Sequence, residues 1–306
     1  METYAVFGKP ILHSRSPQLF NSVFKELNID AVYTRIRPKS GKDIVNIIRT
    51  HDIKGANITT PYKTEVIEFL DLISPEVNEI GGVNTIANNN GKLTGYNTDH
   101  IGVSSSLLET GIDLRGKKIL VIGAGPAAAA AAFGLKRSHA EVYIANRTKH
   151  KAEEICKKQN ISLIDLSDIS KRIENFDVVV SALLPDVNPL EHISIPKHLT
   201  LLDANYRPSK ISSQFASHGC NVISGKHWLI HQAIASYKIF KNATPPIETM
   251  AKAVEINLKR ESIKAKWLHN TPNEMAASDY DILISAENEN EFKKILDEEI
   301  NSTFGS

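Results

Sequence analysis

Along the first hundred residues, short runs of β-branched and apolar residues alternate with longer stretches in which apolar residues return every three or four positions. The two periods separate strands from amphipathic helices. Residues 4–8, 31–36, 55–58 and 84–87 read as strands, with helices over 17–27, 41–50 and 61–70 between them, which is the βαβ rhythm of a mainly parallel open sheet. Asn88-Asn89-Asn90-Gly91 separates 84–87 from 92–94, and this turn chemistry predicts a hairpin that adds a short antiparallel edge. A connecting helix is expected over 98–111, with Val103, Leu107 and Leu108 on one face, followed by a linker at 113–117.

The same rhythm restarts at Lys117. Strands are predicted at 119–122, 142–145, 161–164, 177–180 and 199–203, and helices at 126–137 and 149–159, as in a doubly wound unit. Residues 225–241 form a helix with Trp228, Gln232, Ala235 and Ile239 on one face, and Pro245-Pro246 opens another. From about residue 256 the chain turns charged and Asn-rich, with one apolar run at 280–284 and a last helix signal at 292–300. This extension suits a small added α/β unit, an oligomer contact or a partly disordered tail. The expected fold class is therefore α/β, with two open α/β domains joined by helices.

Composition narrows the function. A chain of 306 residues, 42% hydrophobic, can fill two cores. The formal net charge is +1 with both signs interspersed, so nucleic acid and anionic membrane surfaces are not expected partners. A small-molecule ligand is. Cys156 and Cys220 are the only cysteines, no basic and apolar leader opens the chain, and no run reaches the roughly 18 to 20 apolar residues of a spanning helix. A cytoplasmic protein, monomer or homodimer, is the expectation. Asn301-Ser302-Thr303 is given no weight without secretion. His227 and His231 lie one helical turn apart but lack a clear third ligand, so no metal centre is expected.

The clearest chemical signal is Gly123-Ala124-Gly125-Pro126 after the apolar strand 119–122. The glycines make a tight turn, Ala127 and Ala128 let the next helix lie close to the sheet, and free N-H groups at its start suit a pyrophosphate. An NAD site would place Asp or Glu at the end of the second strand, about 20 residues on. Here Asn146-Arg147-Thr148 stands instead, and a guanidinium with a hydroxyl can meet a 2′-phosphate, which points to NADP.

Three polar segments begin predicted helices at the carboxyl ends of strands in the first half: Ser14-Arg15-Ser16-Pro17, Asn57-Ile58-Thr59-Thr60-Pro61 and Asn97-Thr98-Asp99. Capping accounts for Ser16, Thr60 and Thr98, but not for Ser14 or Thr59. Lys63, two residues into its predicted helix, would oppose the macrodipole at a cost of roughly 0.3 to 1 kcal/mol. A cation kept there suggests use, and Asp99 gains weight from it.

These residues resemble the shikimate dehydrogenase family. The resemblance is carried, in order over about residues 4–255, by Gly8-Lys9-Pro10-Ile11-Leu12-His13-Ser14-Arg15-Ser16-Pro17, Asn57-Ile58-Thr59-Thr60-Pro61-Tyr62-Lys63, Gly82-Val83-Asn84-Thr85, Gly95-Tyr96-Asn97-Thr98-Asp99, Gly123-Ala124-Gly125, Asn146-Arg147-Thr148, Asp203-Ala204-Asn205-Tyr206-Arg207-Pro208, and Gly225 with Gln232-Ala233. It implies a substrate-binding domain over 1–101, a Rossmann-type NADP domain over 102–238, and a helix returning to the substrate domain, with the extension, over 239–306. It also implies reversible reduction of 3-dehydroshikimate to shikimate, in chorismate and aromatic amino-acid biosynthesis. By resemblance, Ser14 and Ser16 hold the substrate carboxylate. Lys63, Asn84, Asp99 and Gln232 address its ring hydroxyls, with Thr59 and Tyr206 nearby, and Lys63 and Asp99 form the catalytic pair. Gly123, Ala124, Gly125, Pro126, Ala127, Asn146, Arg147, Thr148, Ser181 and Gly225 would surround the cofactor. Where the family usually carries Asn-Ala-Thr after the fourth strand of the cofactor domain, this chain has Ser181-Ala182-Leu183. Quinate oxidation at the same site and a catalytically silent metabolite sensor are the rival readings.

Overall fold

The computed structural model of the chain describes residues 1–255, 263–268 and 280–305, so parts of the extension, at 256–262, 269–279 and 306, lie outside the described residues. Two compact units divide it. Met1–Val77, Gly82–Asn97 and Ser236–Ser306 form the first, and Asn78–Gly81 with Thr98–Ala235 form the second. These contact boundaries fall slightly ahead of the 101/102 and 238/239 expected from the sequence, and His100, in the first turn of the helix Asp99–Glu109, packs on Phe133 within the second unit.

The first unit opens with β1 (Glu2–Phe7), α1 (Ser16–Glu26), β2 (Ala31–Arg37), α2 (Gly41–Thr50) and β3 (Gly55–Ile58). It continues with β4 (Leu72–Ile73), α3 (Pro75–Ile80), β5 (Thr85–Asn89) and β6 (Lys92–Tyr96). The second unit carries α4 (Asp99–Glu109), β7 (Lys118–Ile122), α5 (Pro126–Arg137), β8 (Glu141–Ala145), α6 (Lys149–Gln159), β9 (Ser162–Leu163) and α7 (Ile169–Arg172). β10 (Val178–Ser181), β11 (Thr200–Asp203), α8 (Lys210–Ser217), β12 (Asn221–Ile223) and α9 (Gly225–Lys241) follow. α10 (Ile247–Ala253) comes next, and the extension adds β13 (Ala265–Trp267), β14 (Ile282–Ile284) and α11 (Glu289–Phe304).

In the first unit the strand order is β13-β14-β2-β1-β3-β5-β6-β4, parallel except where β5 pairs with β3 and β6. Period-two alternation explains how its two faces are covered. Phe7, Ile36, Ala56, Ile58 and Ile86 face Ile44, Ile47 and Ile48 of α2. An aromatic layer includes Tyr4, Phe20 and Phe24, and Phe20 stacks on Tyr33 with ring centroids 4.4 Å apart. The hairpin forms as expected, but β6 is not the edge. β4, only two residues long, pairs beyond it, and its neighbour Asp71 accepts the Leu93 N-H at 2.7 Å. Two residues are too few to leave a period in the sequence.

The second sheet runs β12-β11-β10-β7-β8-β9, all parallel. Ile119, Val121, Val142, Ile144, Val178, Val180 and Leu202 build one core face, while Leu120, Ile122, Val179 and Leu201 build the other. This is the doubly wound order, reversing between β7 and β10. On α4, Val103 and Leu107 are buried, whereas Leu108 is 52% exposed. One residue turns the helix by about 100°, which carries Leu108 off the packed face. α4 and α5 meet at backbone distance, since a Cβ on Gly134 would lie 2.3 Å from the His100 carbonyl oxygen. Gly134→Ala must push the helices apart, and it is expected to cost roughly 1 to 3 kcal/mol and lower Tm by several degrees. A melting curve that matches the native one would mean that this crossing is not close-packed.

Residues 61–70 depart from the helix expected there. No α-helix spans 61–70; turns lead instead into a short 3-10 helix, Glu65–Phe69. The Lys63 carbonyl, which an α-helix would offer to the Ile67 N-H, accepts from Val83 N at 2.8 Å, and Ile67 N turns to Thr64 O. Tyr62 and Val66 are buried in the core, and the Tyr62 hydroxyl donates to Pro38 O at 2.9 Å. These anchors fix the segment as a turn. The macrodipole argument for Lys63 therefore falls, and Thr60 caps nothing.

Candidate active site

In the first unit, the loops after β1 and β3 lie side by side because their strands are parallel neighbours. Lys9 N donates to Thr60 O at 3.0 Å and Thr59 N to Phe7 O at 2.9 Å. β5 runs the other way, so its beginning reaches the same end of the sheet, and Ile58 N donates to Asn84 O at 2.8 Å. Topology thus gathers the Ser14 loop, the segment from Thr59 to Lys63, and Asn84 at the carboxyl ends of the parallel strands, where open α/β sheets bind ligands. Ser14 and Ser16 are both buried, with their hydroxyl oxygens 3.4 Å apart. Ser16 is the first residue of α1 rather than its cap. Thr59 and Lys63 are half-buried, and Asn84 is buried, its Oδ1 accepting from the Thr85 hydroxyl at 2.9 Å.

Behind this edge stands a polar cluster that the sequence did not single out. Tyr33 Oη donates to Asn57 Oδ1 at 2.7 Å, and Asn57 Nδ2 reaches Asn84 O, Thr85 Oγ1 and Ser236 Oγ at 3.0 to 3.1 Å. Burial pushes the Tyr33 phenol well above its ordinary pKa, so it serves as a donor throughout the usable range. Asn57 stood out only as part of a motif.

In the second unit, Asp99 opens α4 and is buried. Thr98 occupies the cap position without capping; its hydroxyl lies 3.4 Å from Gln232 Oε1, and Gln232 is buried on α9. Tyr206 is half-buried in the loop after β11. His227 Nδ1 and His231 Nε2 both contact Glu109 Oε2, at 3.1 and 3.0 Å, and these bonds, His231 first, hold the Glu109 carboxyl below its ordinary range. Among the described residues no group of three or more His, Cys, Asp or Glu side chains is arranged to hold a metal ion.

At the switch point between β7 and β10 a pocket of about 500 Å³ is lined by Gly123, Ala124, Gly125, Asn146, Arg147 and Thr148. The residues fit a dinucleotide. Gly123 has φ +126° and would place a Cβ 2.9 Å from Ala182 O, so only glycine makes this turn. Nothing stands within 4 Å of where a Gly125 side chain would begin, which leaves the start of α5 open. Asn146 Nδ2 donates to Thr148 O at 2.9 Å and sets the shape of the next loop. The lining adds Lys151, a second cation in the first turn of α6, four residues beyond Arg147, along with Leu183 and Leu184. Sequence reasoning missed Lys151, although its spacing from Arg147 on a helix start was readable. Pro126 and Ala127 lie in the first turn of α5, next to the lining residue Gly125. Ser181 ends β10, fully buried with its hydroxyl unpaired, and Gly225 begins α9, its N-H donating to Asn205 O at 3.1 Å.

An open α/β unit with polar loops at its strand ends, carried with a doubly wound dinucleotide unit, defines the class of two-domain nucleotide-dependent α/β proteins. The comparisons give the family. Residues 6–86 match the family described as shikimate dehydrogenase substrate binding domain, and residues 106–191 match shikimate / quinate 5-dehydrogenase. The shikimate dehydrogenase (NADP(+)) of Carboxydothermus hydrogenoformans is 32% identical over 268 residues, covering 82% of this chain and 96% of the relative. The crystal structure of shikimate dehydrogenase from Aquifex aeolicus superposes with a TM-score of 0.78 at 29% identity, over 84% of this chain and 98% of that one. A Thermus thermophilus structure in complex with NADP(H) and shikimate gives 0.74 at 27%, over 83% and 98%. The chain belongs to the shikimate dehydrogenase family.

Proposed function

We propose that the protein is a cytoplasmic, NADP-dependent shikimate dehydrogenase that reversibly reduces 3-dehydroshikimate to shikimate, a step in chorismate and aromatic amino-acid biosynthesis. The reading rests above all on its overlap with relatives of that activity along 96% of their length. Among the described residues no helix is long and apolar enough to cross a membrane.

Oxidation of a secondary alcohol needs a hydride acceptor, which bound NADP supplies, and a group that takes the hydroxyl proton. Lys63 is assigned that proton, and Asp99 is assigned to orient the amine. The assignment rests on the position of Lys63 after β3 and on its motif, since Lys63 stands in a turn and not in the first turn of an α-helix. Ser14 and Ser16 are assigned to the carboxylate, Asn84 and Gln232 to ring hydroxyls, and Thr59 and Tyr206 to the surroundings. Arg147 and Thr148, with Lys151, are assigned to the 2′-phosphate.

Incubating the protein with 3-dehydroshikimate and NADPH and separating the products by chromatography tests the activity: shikimate should appear in step with NADPH loss. Cofactor consumption without shikimate, or no turnover, would refute the reading and leave a binding protein. For Ser14→Ala the expected change is chiefly a higher KM for shikimate, about tenfold, as for one lost hydrogen bond to a charged group. An unchanged KM would place the carboxylate elsewhere.

A further inference from the structure

The extension is tied to the loop that carries Ser14. β14 lies parallel to β2, with Leu283 beside Ile36 and Ile284 beside Arg37, and so covers an edge that β2 would otherwise expose. β13 pairs outside β14, and the Trp267 indole donates to Ala286 O at 2.6 Å. α11 then brings Glu299, fully buried, to the start of the loop. Its Oε2 accepts the backbone N-H groups of Ile11 at 2.8 Å and Leu12 at 3.1 Å. Its Oε1 lies 3.2 Å from Arg37 Nη1, close enough for charge pairing though not aligned as a hydrogen bond. Arg37 is itself held by Ile295 O at 3.1 Å and by Glu298 at 2.7 Å.

The other end of the loop is fastened as well. Ser14 N closes the turn on Ile11 O at 2.9 Å. The Ser14 carbonyl accepts from Arg35 Nε at 3.0 Å and Nη2 at 2.7 Å, and Arg35 Nη1 donates to Asp281 O, in the extension, at 3.1 Å. Arg35 is fully buried, and burial pulls its pKa down only to about 10, so the clamp stays charged near neutrality. Ile11 and Leu12 are wholly buried, and water cannot replace Glu299 at their amides without opening the core. A carboxylate that accepts two buried N-H groups and faces an arginine is a more specific arrangement than helix docking requires. The relatives described above are spanned almost completely by part of this chain, so about a sixth of it has no counterpart in them.

We propose that Glu299 is a positioning residue for substrate binding, and that the extension is a built-in buttress that sets the Ser14 loop in its carboxylate-binding form. The proposal rests on the assignment of Ser14 to the substrate carboxylate. Glu299 touches no substrate; it acts through the Ile11 and Leu12 amides.

The test uses the full-length protein with Glu299→Ala and Glu299→Gln, and Glu298→Gln as a control on the exposed partner of Arg37. Two readouts are taken. Amide hydrogen exchange of the peptide spanning Ile11 to Ser16, measured without ligand, should accelerate by about tenfold or more in Glu299→Ala, less in Glu299→Gln, and not in Glu298→Gln. In steady-state kinetics, Glu299→Ala should raise KM for shikimate by about tenfold, with kcat and KM for NADP within roughly threefold of native, and Glu299→Gln should recover part of the loss through its remaining carbonyl acceptor. If the alanine variant does not fold, the glutamine variant carries both readouts. Unaltered exchange in a folded variant overturns the buttress, whatever the enzyme does. Accelerated exchange with an unchanged KM for shikimate overturns the link to substrate binding, and a uniform fall in kcat with no KM change marks a merely structural role and overturns it too. Turnover absent from the native protein, with exchange still accelerated in the variants, would count against the dehydrogenase reading and not against the buttress.

Discussion

Replacing Lys63 by alanine is expected to lower kcat for shikimate oxidation by at least about a hundredfold while KM shifts by no more than a few-fold. General acid-base groups act mainly in the transition state, and loss of one typically removes about two to four orders of magnitude from the rate. The substrate carboxylate, by contrast, is assigned to Ser14 and Ser16, so ground-state binding should survive. The Lys63 carbonyl is fixed by Val83 N and its neighbours Tyr62 and Val66 are buried, and the backbone turn keeps these anchors when the amine is removed. The variant should therefore fold and bind. Steady-state rates alongside calorimetric shikimate binding separate the two effects. Turnover at the native rate would remove Lys63 from the mechanism, and loss of binding without loss of kcat would make it a binding group only.

The second large effect concerns cofactor choice. Arg147 and Lys151 both line the pocket beside Thr148, and no carboxylate is found among its lining residues. Hydrogen bonds to a charged group contribute about 1.5 to 3 kcal/mol each, so Arg147→Ala combined with Lys151→Ala should raise KM for NADP by about a hundredfold or more. KM for NAD should stay within a few-fold, because NAD lacks the phosphate these cations meet. Comparing kcat/KM for the two cofactors, native against double variant, reads this directly. An equal loss with both would show that the two cations serve a part common to NAD and NADP.

How much of this was legible from residues alone depends on how local each determinant is. The ends of α2, α5, α6 and α9 agree with the periodic pattern, because a periodic face and a border residue, Gly41, Pro126, the left-handed Asn160 or Gly225, specify a helix without outside help. The order of the second sheet follows from repeated βα units and small residues on α5. The segment at 61–70 was misread because its apolar spacing fits a helix, while a partner distant in sequence, Val83, claims the Lys63 carbonyl. β4 and Leu108 failed for want of length and of angular precision. The clamp on Ser14 was invisible for a stronger reason: Arg35, Arg37, Asp281 and Glu299 come together only through long-range pairing of β14 with β2. Charged residues on a strand and a late helix look like ordinary surface until the sheet order is known. Ser14, Lys63 and Asn84 stand out in the sequence through local motifs, and their place at one end of the sheet follows from β1, β3 and the reversed β5.

The measurement that bears most directly on the central claim is the growth of absorbance at the reduced-nicotinamide band, with shikimate or quinate each paired with NADP or NAD. Shikimate with NADP should be oxidised fastest. Quinate with NAD in first place would contradict both the substrate and the cofactor assignment, and four flat traces from folded protein would contradict catalysis itself.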